Sequence, residues 1–319
     1  MKEHKLFVIA SLLVSRAWAK TLEDALASNY ADGLADCYVP SGTCSCTSIG
    51  FPWNSLTGTI PASLANCSAL TDLELDGNSF TGTVPAVLGS LSALTNLYLG
   101  DNSFTGTIPA SLGSLSALTG LYLGGNSLTG TIPAMLGSLS ALMDLGLGDN
   151  SLTGTVPASL GSLSALQELR LNDNSFTGTV PASLSSLSAL TGLRLNGNSF
   201  TGTIPAALGN LSALTQLYLH DSSFTGELPE AWCNIELYSG ECAAGNNFAC
   251  SGICPSGSGP CDLTANNCAR PAPTATPTVT PAPTMPNPAP GSIGGGFRAT
   301  ARSAVVVVLA AQLALLVRG

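Results

Sequence analysis

Charge is scarce in this 319-residue sequence, where only 9% of residues are ionisable acids or bases. Basic residues are scarcest, ten against nineteen acids, for a formal net charge of −9. Six of the ten (Lys2, Lys5, Arg16, Arg298, Arg302, Arg318) lie near the two ends. Residues 20–292 hold only Lys20, Arg170, Arg194 and Arg270 against eighteen acids, a net charge of −14. Such a surface repels phosphate backbones, which argues against a nucleic-acid partner. Histidine is limited to His4 and His220, so acid–base chemistry and His-assisted zinc sites have little to draw on. Cysteine is missing throughout residues 68–232. No apolar run reaches the ~20 residues needed to cross a bilayer as a helix.

The ten cysteines that are present fall in two groups. Cys37, Cys44, Cys46 and Cys67 precede the gap; Cys233, Cys242, Cys250, Cys254, Cys261 and Cys268 follow it. Even counts in an exported chain read as disulfides, with three pairings open to the first group and fifteen to the second. Zinc is the alternative, but only Cys250 and Cys254 have a tolerable ligand spacing.

The ends carry addresses. Lys2 and Lys5, an apolar run from Leu6 to Val14, and Ala17-Trp18-Ala19 make residues 1–19 a secretory signal peptide. At the other end, residues 304–317 are apolar apart from Gln312. With the small residues Gly291, Ser292 and Gly294 to Gly296 upstream, residues 291–319 read as a GPI-attachment signal. Ser292 or Gly294 is the attachment site, and a short transmembrane anchor is the alternative. Residues 269–290, rich in Pro and Thr, cannot bury a core and form a semi-rigid stalk, with the threonines as plausible O-glycan acceptors.

Between the Cys groups runs a strict 24-residue repeat over residues 46–237, with a degenerate unit starting at Cys46 and regular units starting at Leu70, Leu94, Leu118, Leu142, Leu166, Leu190 and Leu214. Unit positions below are counted from these residues. In LxxLxLxxN the apolar residues at positions 4 and 6 alternate as in a short strand. No unit can bury its leucines alone, so stacked units share one core. The position-9 asparagines (Asn54, Asn78, Asn102, Asn126, Asn150, Asn174, Asn198) point inward to satisfy backbone groups between coils, and Ser222 replaces the last. The S-[FL]-T-G-T-[IV]-P segment that follows supplies a Gly bend and a Pro stop.

These units resemble the plant-specific class of leucine-rich repeats, LxxLxLxxNxLxGxIPxxLxxLxx. The resemblance implies an α/β-type solenoid: a superhelix with a parallel β-sheet on the concave face and an irregular or 3-10 convex side. It also implies a second, minor sheet from LxGxIP. Disulfide-bonded caps at 20–45 and 238–268 close the array, with residues 20–36 expected to form a short helix. Signal peptide, repeat type, Cys-rich end, stalk and tail together resemble the kinetoplastid promastigote surface antigens. Polygalacturonase inhibitors share the repeat but generally lack the stalk and tail.

Catalysis finds no support. His220 neighbours Asp221, but Ser222, the nearest nucleophile, fills the asparagine slot. Asp101, Asp149, Asp173 and Asp221 share position 8, which leaves a calcium ladder or a solvated acidic strip open. No metal, cofactor or catalytic residue is expected. Binding is better supported. Position 5, facing away from the core, reads Glu74, Tyr98, Tyr122, Gly146, Arg170, Arg194, Tyr218. Tyr and Arg are over-used at binding hot spots, so Tyr98, Tyr122, Arg170, Arg194 and Tyr218 are the expected ligand-binding residues. Asn66 and Asn210 open N-glycosylation sequons. The expected function is binding or adhesion at a cell surface, to a protein or glycan, through the concave face. A shielding coat and an inhibitor of a secreted hydrolase are the alternatives.

Overall fold

A computed structural model describes residues 20–22, 44–228, 239–241 and 246–248. The chain divides into Met1–Arg270 and Pro271–Gly319, and every described residue lies in the first unit. The signal peptide, stalk, attachment signal with Ser292, and seven of the ten cysteines (all but Cys44, Cys46 and Cys67) lie outside the described residues.

Each coil has three parts. A three-residue strand at positions 3–5 is followed by a left-handed bend, a second strand, and a 3-10 turn that leads to the next coil. The position-4 and position-6 leucines, from Leu73 and Leu75 to Leu217 and Leu219, are almost wholly buried. Their alternation makes the first strand, and the in-register pairing of Leu97 with Leu121 and Leu121 with Leu145 repeats it. Nine such strands, Ser48–Gly50 to Ser239–Glu241, form one parallel primary sheet. The 3-10 turns, Ala62–Asn66 to Ala206–Asn210, each follow a proline whose φ lies between −58° and −70°. Pro fixes that torsion in advance and removes a donor that the first turn does not need.

The expected second sheet is present. Seven parallel strands run from Thr105–Thr107 to Asn247–Phe248. Three more (Lys20–Thr21, Leu56–Gly58, Ser79–Phe80) form a separate parallel group, and a Thr83–Thr105 bridge links the two. Inside this sheet the position-11 side chains stack from coil to coil. Phe80 lies on Phe104, with centroids 6.1 Å apart, and Phe176, Phe200, Phe224 and Phe248 continue the column beyond Leu128 and Leu152.

The asparagine ladder works as expected and engages more groups than one. Asn126 Nδ2 donates to the carbonyls of Leu99 (3.0 Å), Leu123 (3.1 Å) and Gly124 (3.2 Å), while its Oδ1 accepts the Phe104 N–H (2.9 Å). Asn78, Asn102, Asn150, Asn174 and Asn198 repeat this set. Asn54 departs from it: its amide is exposed and donates to Pro52 O. The array also continues past residue 237. Ser239–Glu241 pairs with Gln216–Tyr218, and Asn246 takes the ladder position, accepting from Phe224 N and donating to Leu219 O. Ser222 is therefore a gap inside the ladder and not its end. Its Oγ is buried and has no partner among the described residues.

Position 8 has a backbone explanation. Asp101, Asp149, Asp173 and Asp221 have φ of 51–56°, and Gly77, Gly125 and Gly197 have φ of 63–66°. The bend demands a left-handed residue, and Gly and Asp are among the few that adopt it routinely. The Gly/Asp alternation thus reflects one torsion, without any need for a calcium ladder. Asp173→Gly should leave stability unchanged or slightly raised, whereas Asp173→Val should cost about 1–3 kcal/mol. Chemical denaturation of the two variants side by side checks this.

At the amino-terminal end the helix expected over 20–36 does not start at 20. Lys20–Thr21 is a strand, parallel to Leu56–Thr57, and helical backbone begins at Leu22, which is fully buried. The open edge of the second sheet offers unpaired backbone groups, and pairing satisfies them. Cys44 is disulfide-bonded to Cys67, which selects one bond where the sequence left pairings open and consumes two thiols of the Cys44, Cys46, Cys67 cluster. Cys67 is buried, and Cys46 packs partly buried against the core.

Candidate functional site

The outer face of the primary sheet carries a cleft of about 550 Å³ over the central coils. Four of the five expected binding residues, Tyr98, Tyr122, Arg170 and Arg194, line it. The fifth, Tyr218, is not among its lining residues. It stands beyond Arg194, whose guanidinium carbon sits 5.2 Å from the Tyr218 ring centre.

The site grows from consecutive strands in register. Tyr98 and Tyr122 occupy the same strand position on adjacent coils, and their rings meet edge to face at 4.8 Å. Gly146 follows, and its lack of a side chain makes room: a Cβ there would lie 2.7 Å from the Tyr122 ring. Across this gap Arg170 reaches back so that its guanidinium carbon lies 5.7 Å from the Tyr122 centre. A cation over an aromatic face is attracted by the ring quadrupole. Arg170 Nε also faces Glu168 Oε2 at 3.7 Å, and Arg194 Nη2 donates to Gln216 Oε1 at 3.1 Å. Both guanidinium groups are thus aimed by neighbours while part of each still faces the cleft.

The floor was not anticipated. Position 7 reads Gly100, Gly124, Gly148 on the three central coils, and all three line the cleft. On either side, position 7 is occupied by Asp76, Asn172, Asn196 and His220. A bare backbone strip this wide admits close approach of another backbone. The signal was available as a second variable column, but glycines in a Gly-rich repeat do not stand out. Asp76, Asp101, Asp149 and Asn172 form the rim.

Charge is polarised along the array. Asp72, Glu74 and Asp76 crowd the early coils; burial, and then the neighbouring carboxylates Asp72 and Asp76, raise the Glu74 carboxyl above its ordinary value. Burial likewise raises Asp76 and Asp149, with Asp101 and Asp173 adding to it. Tyr122 is pushed up to about 12, first by burial and then by Asp144, so its hydroxyl stays protonated at neutral pH. Carboxyls raised in the folded chain favour the protonated form on folding. The stability they withhold at neutral pH should return as pH falls through their raised values towards the ordinary carboxylate range. The melting temperature should therefore rise modestly on mild acidification, and Glu74→Gln with Asp149→Asn should flatten that rise. Calorimetry across pH at low salt checks the slope.

His220 lies beside Asp221, Nε2 to Oδ2 3.9 Å, and edge-on to Tyr218. Ser222 Oγ is buried without a hydrogen bond among the described residues, and none links it to His220. Asn66 and Asn210 are exposed, each the last residue of a 3-10 turn.

The chain matches the leucine rich repeat family over residues 68–128, 116–176 and 164–224. Solved structures agree. The ectodomain of the Arabidopsis thaliana receptor kinase GASSHO1/SCHENGEN3, in complex with CASPARIAN STRIP INTEGRITY FACTOR 2, superposes with a TM-score of 0.60 at 40% identity, over 62% of this chain and 24% of that one. The Arabidopsis receptor kinase HAESA, in complex with the peptide hormone IDA and the co-receptor SERK1, gives 0.60 at 35% identity, over 66% and 35%. A plant ice-binding protein gives 0.57 at 27% identity, over 64% and 65%. The chain thus spans about a quarter to a third of the two receptor ectodomains. No curated protein sequence matches it.

Proposed function

We propose that this leucine-rich-repeat solenoid is a non-enzymatic binding protein whose primary sheet takes an extended peptide segment of an extracellular partner. The observation that carries this is the cleft itself: an aromatic wall of Tyr98 and Tyr122, a bare Gly100–Gly124–Gly148 floor, and Arg170 and Arg194 at one end. A glycine floor suits a peptide backbone better than a bulky folded surface. Two tyrosines supply rigid contact area at low entropic cost. The charge gradient sets polarity: an acidic group belongs at Arg170 and Arg194, a basic one at Asp76 and Asp101. From the Glu74 strand to the Arg170 strand is four coil steps, or ~19 Å, about six extended residues. That the two Arabidopsis relatives are crystallised with a peptide hormone and with an integrity factor supports this class of ligand. Ice, the ligand class of the third relative, is flat and rigid, and this walled cleft does not fit it.

At the cellular level the reading is a secreted protein held at the outer surface by a GPI lipid at Ser292, raised on the 269–290 stalk and N-glycosylated at Asn66 and Asn210. The layout resembling promastigote surface antigens motivates adhesion as the biological role. A shielding coat would not need a shaped, charge-polarised cleft. Release of the protein from intact cells by phosphatidylinositol-specific phospholipase C tests the anchor, and retention under that treatment rules it out. Selection of peptides from a random display library on the folded chain tests the cleft. Enrichment of mixed-charge sequences is expected; peptides that bind equally to a Tyr122→Ala, Arg170→Ala chain would refute it.

A further inference from the structure

Among the described residues, the second sheet presents an outer face made almost wholly of Ser and Thr. In each coil S-[FL]-T-G-T-[IV] the buried residues are the Phe or Leu and the Ile or Val, and the exposed ones are Ser, Thr and Thr. Ser103, Thr105 and Thr107 recur as Ser127, Thr129 and Thr131, as Ser151, Thr153 and Thr155, and as Ser175, Thr177 and Thr179. The position-10 and position-12 columns run unbroken from Ser79 and Thr81 to Ser223 and Thr225, and the first charge on this face is Glu227, in the last position-14 slot. Among the described residues, no outward position of these columns is aromatic.

The strands slide by two residues per coil, so Thr107 pairs with Thr129 and Thr105 with Ser127, while Thr129 pairs with Ser151. Because every outward position from Ser79 to Thr225 is Ser or Thr, the slide preserves the pattern. The result is a two-dimensional grid of hydroxyls, ~4.8 Å apart across strands and ~6.7 Å apart along them. The grid is held in place. Thr105, Thr129 and Thr153 donate to the Gly82, Gly106 and Gly130 carbonyls of the preceding coil at 3.2–3.3 Å, which leaves their oxygens free to accept from outside. The methyl of each position-14 threonine lies over the glycine of the next coil: Thr107 Cγ2 is 2.9 Å from where a Gly130 Cβ would stand. Glycine at position 13 therefore seats a methyl as well as making a bend.

Core packing does not require this uniformity, because the residues are exposed. Unit duplication preserves exposed columns elsewhere too, as in the Ser92, Ser116, Ser140, Ser164 and Ser188 column, whereas position 5 on the other sheet has diverged to Glu, Tyr, Gly and Arg. What distinguishes this face is that its uniform columns lie side by side in one sheet. What the face offers is periodicity, and the partner that reads periodicity is a crystal. A crystalline polysaccharide is recognised by stacking on aromatic rings, which this face lacks. Ice offers repeating oxygens that donate and accept, with recesses between them that admit methyl groups. We propose that the Ser/Thr grid of the second sheet binds ice, independently of the cleft on the primary sheet.

The test uses the purified full-length chain in a nanolitre osmometer and in an ice-recrystallisation assay. The wild-type chain should hold a seed crystal from growing over a measurable gap below the melting point. Thr129→Tyr with Thr153→Tyr, which break the grid at its centre while keeping strand-favouring residues, should shrink that gap at least tenfold with an unchanged circular dichroism melt. Arg170→Ala with Arg194→Ala should leave it intact. Absence of any gap and of recrystallisation inhibition in the folded wild-type chain overturns the proposal. So does a gap that survives the threonine changes, or co-sedimentation with cellulose or chitin that the threonine changes abolish while ice growth is unaffected.

Discussion

Replacing Asn126 by Leu should lower the unfolding free energy by about 2–4 kcal/mol. Leucine is close in size, so the loss is not a cavity effect. It comes from the polar groups around the bend: the Phe104 N–H loses its acceptor outright, while the carbonyls of Leu99, Leu123 and Gly124 each lose one donor and keep another, Asn102 Nδ2, Asn150 Nδ2 and the Asp101 N–H respectively. A donor left dry costs about 1–3 kcal/mol and each lost hydrogen bond to a still-paired carbonyl about 0.5–1.5 kcal/mol, less whatever water recovers by entering the bend. Asn126→Asp should be nearly as damaging, since it keeps the acceptor for Phe104 but removes both amide donors and adds a charge beside three carbonyls. The molecule already contains the mild form of this lesion at Ser222, whose hydroxyl is buried without a partner among the described residues. The reverse change, Ser222→Asn, should stabilise by about 1–2 kcal/mol if the coil accommodates the larger side chain. Urea midpoints for the three variants decide the matter. A null effect at Asn126 would mean that the ladder is decoration on a leucine core.

The second large effect concerns the cleft. For a peptide selected on the wild-type chain, Tyr122→Ala should weaken binding by about 2–4 kcal/mol, or roughly 30- to 1,000-fold. Tyr122 is central: Tyr98 packs edge-on against it from one side and Arg170 covers it from the other. Removing it loosens both neighbours, which is the behaviour expected of a hot spot and not of a rim contact. Gly100→Val is the complementary change. A Cβ there would meet Gly124 O at 3.2 Å, tight but tolerable, so the fold should survive while the floor is filled. Calorimetric titration should show binding lost in both variants, with Tyr218→Ala close to wild type because that ring lies beyond the cleft lining. Equal losses at Tyr218 and Tyr122 would shift the site towards the last coils.

The regular part of this molecule could be read from its sequence because each feature repeats: LxLxx placed the primary strands, the asparagine column its ladder, and position 5 the tyrosines and arginines. What escaped reading is irregular in the same terms. The ninth coil pairs Leu217 with Gly240, a glycine in the leucine slot at a spacing of 23, so the period and the residue type fail together. The strand at Lys20–Thr21 is two residues long and was overlaid by a helical spacing that starts at Leu22. The role of Asp at position 8 depends on the sign of φ, which composition does not reveal. The slide of two residues in the second sheet is a property of pairing between coils, and no single unit encodes it.

Gly146 marks the coil that separates the tyrosines from the arginines, and that coil is interchangeable with its neighbours in every contact that maintains the stack. Unequal exchange between near-identical gene segments could delete residues 142–165, or copy them, without breaking one ladder bond type or one core layer. The two ends of the cleft would move ~4.8 Å closer or farther apart, while their chemistry stayed the same. Ligand length would then be inherited as a count of coils, a trait that changes by whole steps and that selection can adjust without redesigning a single side chain.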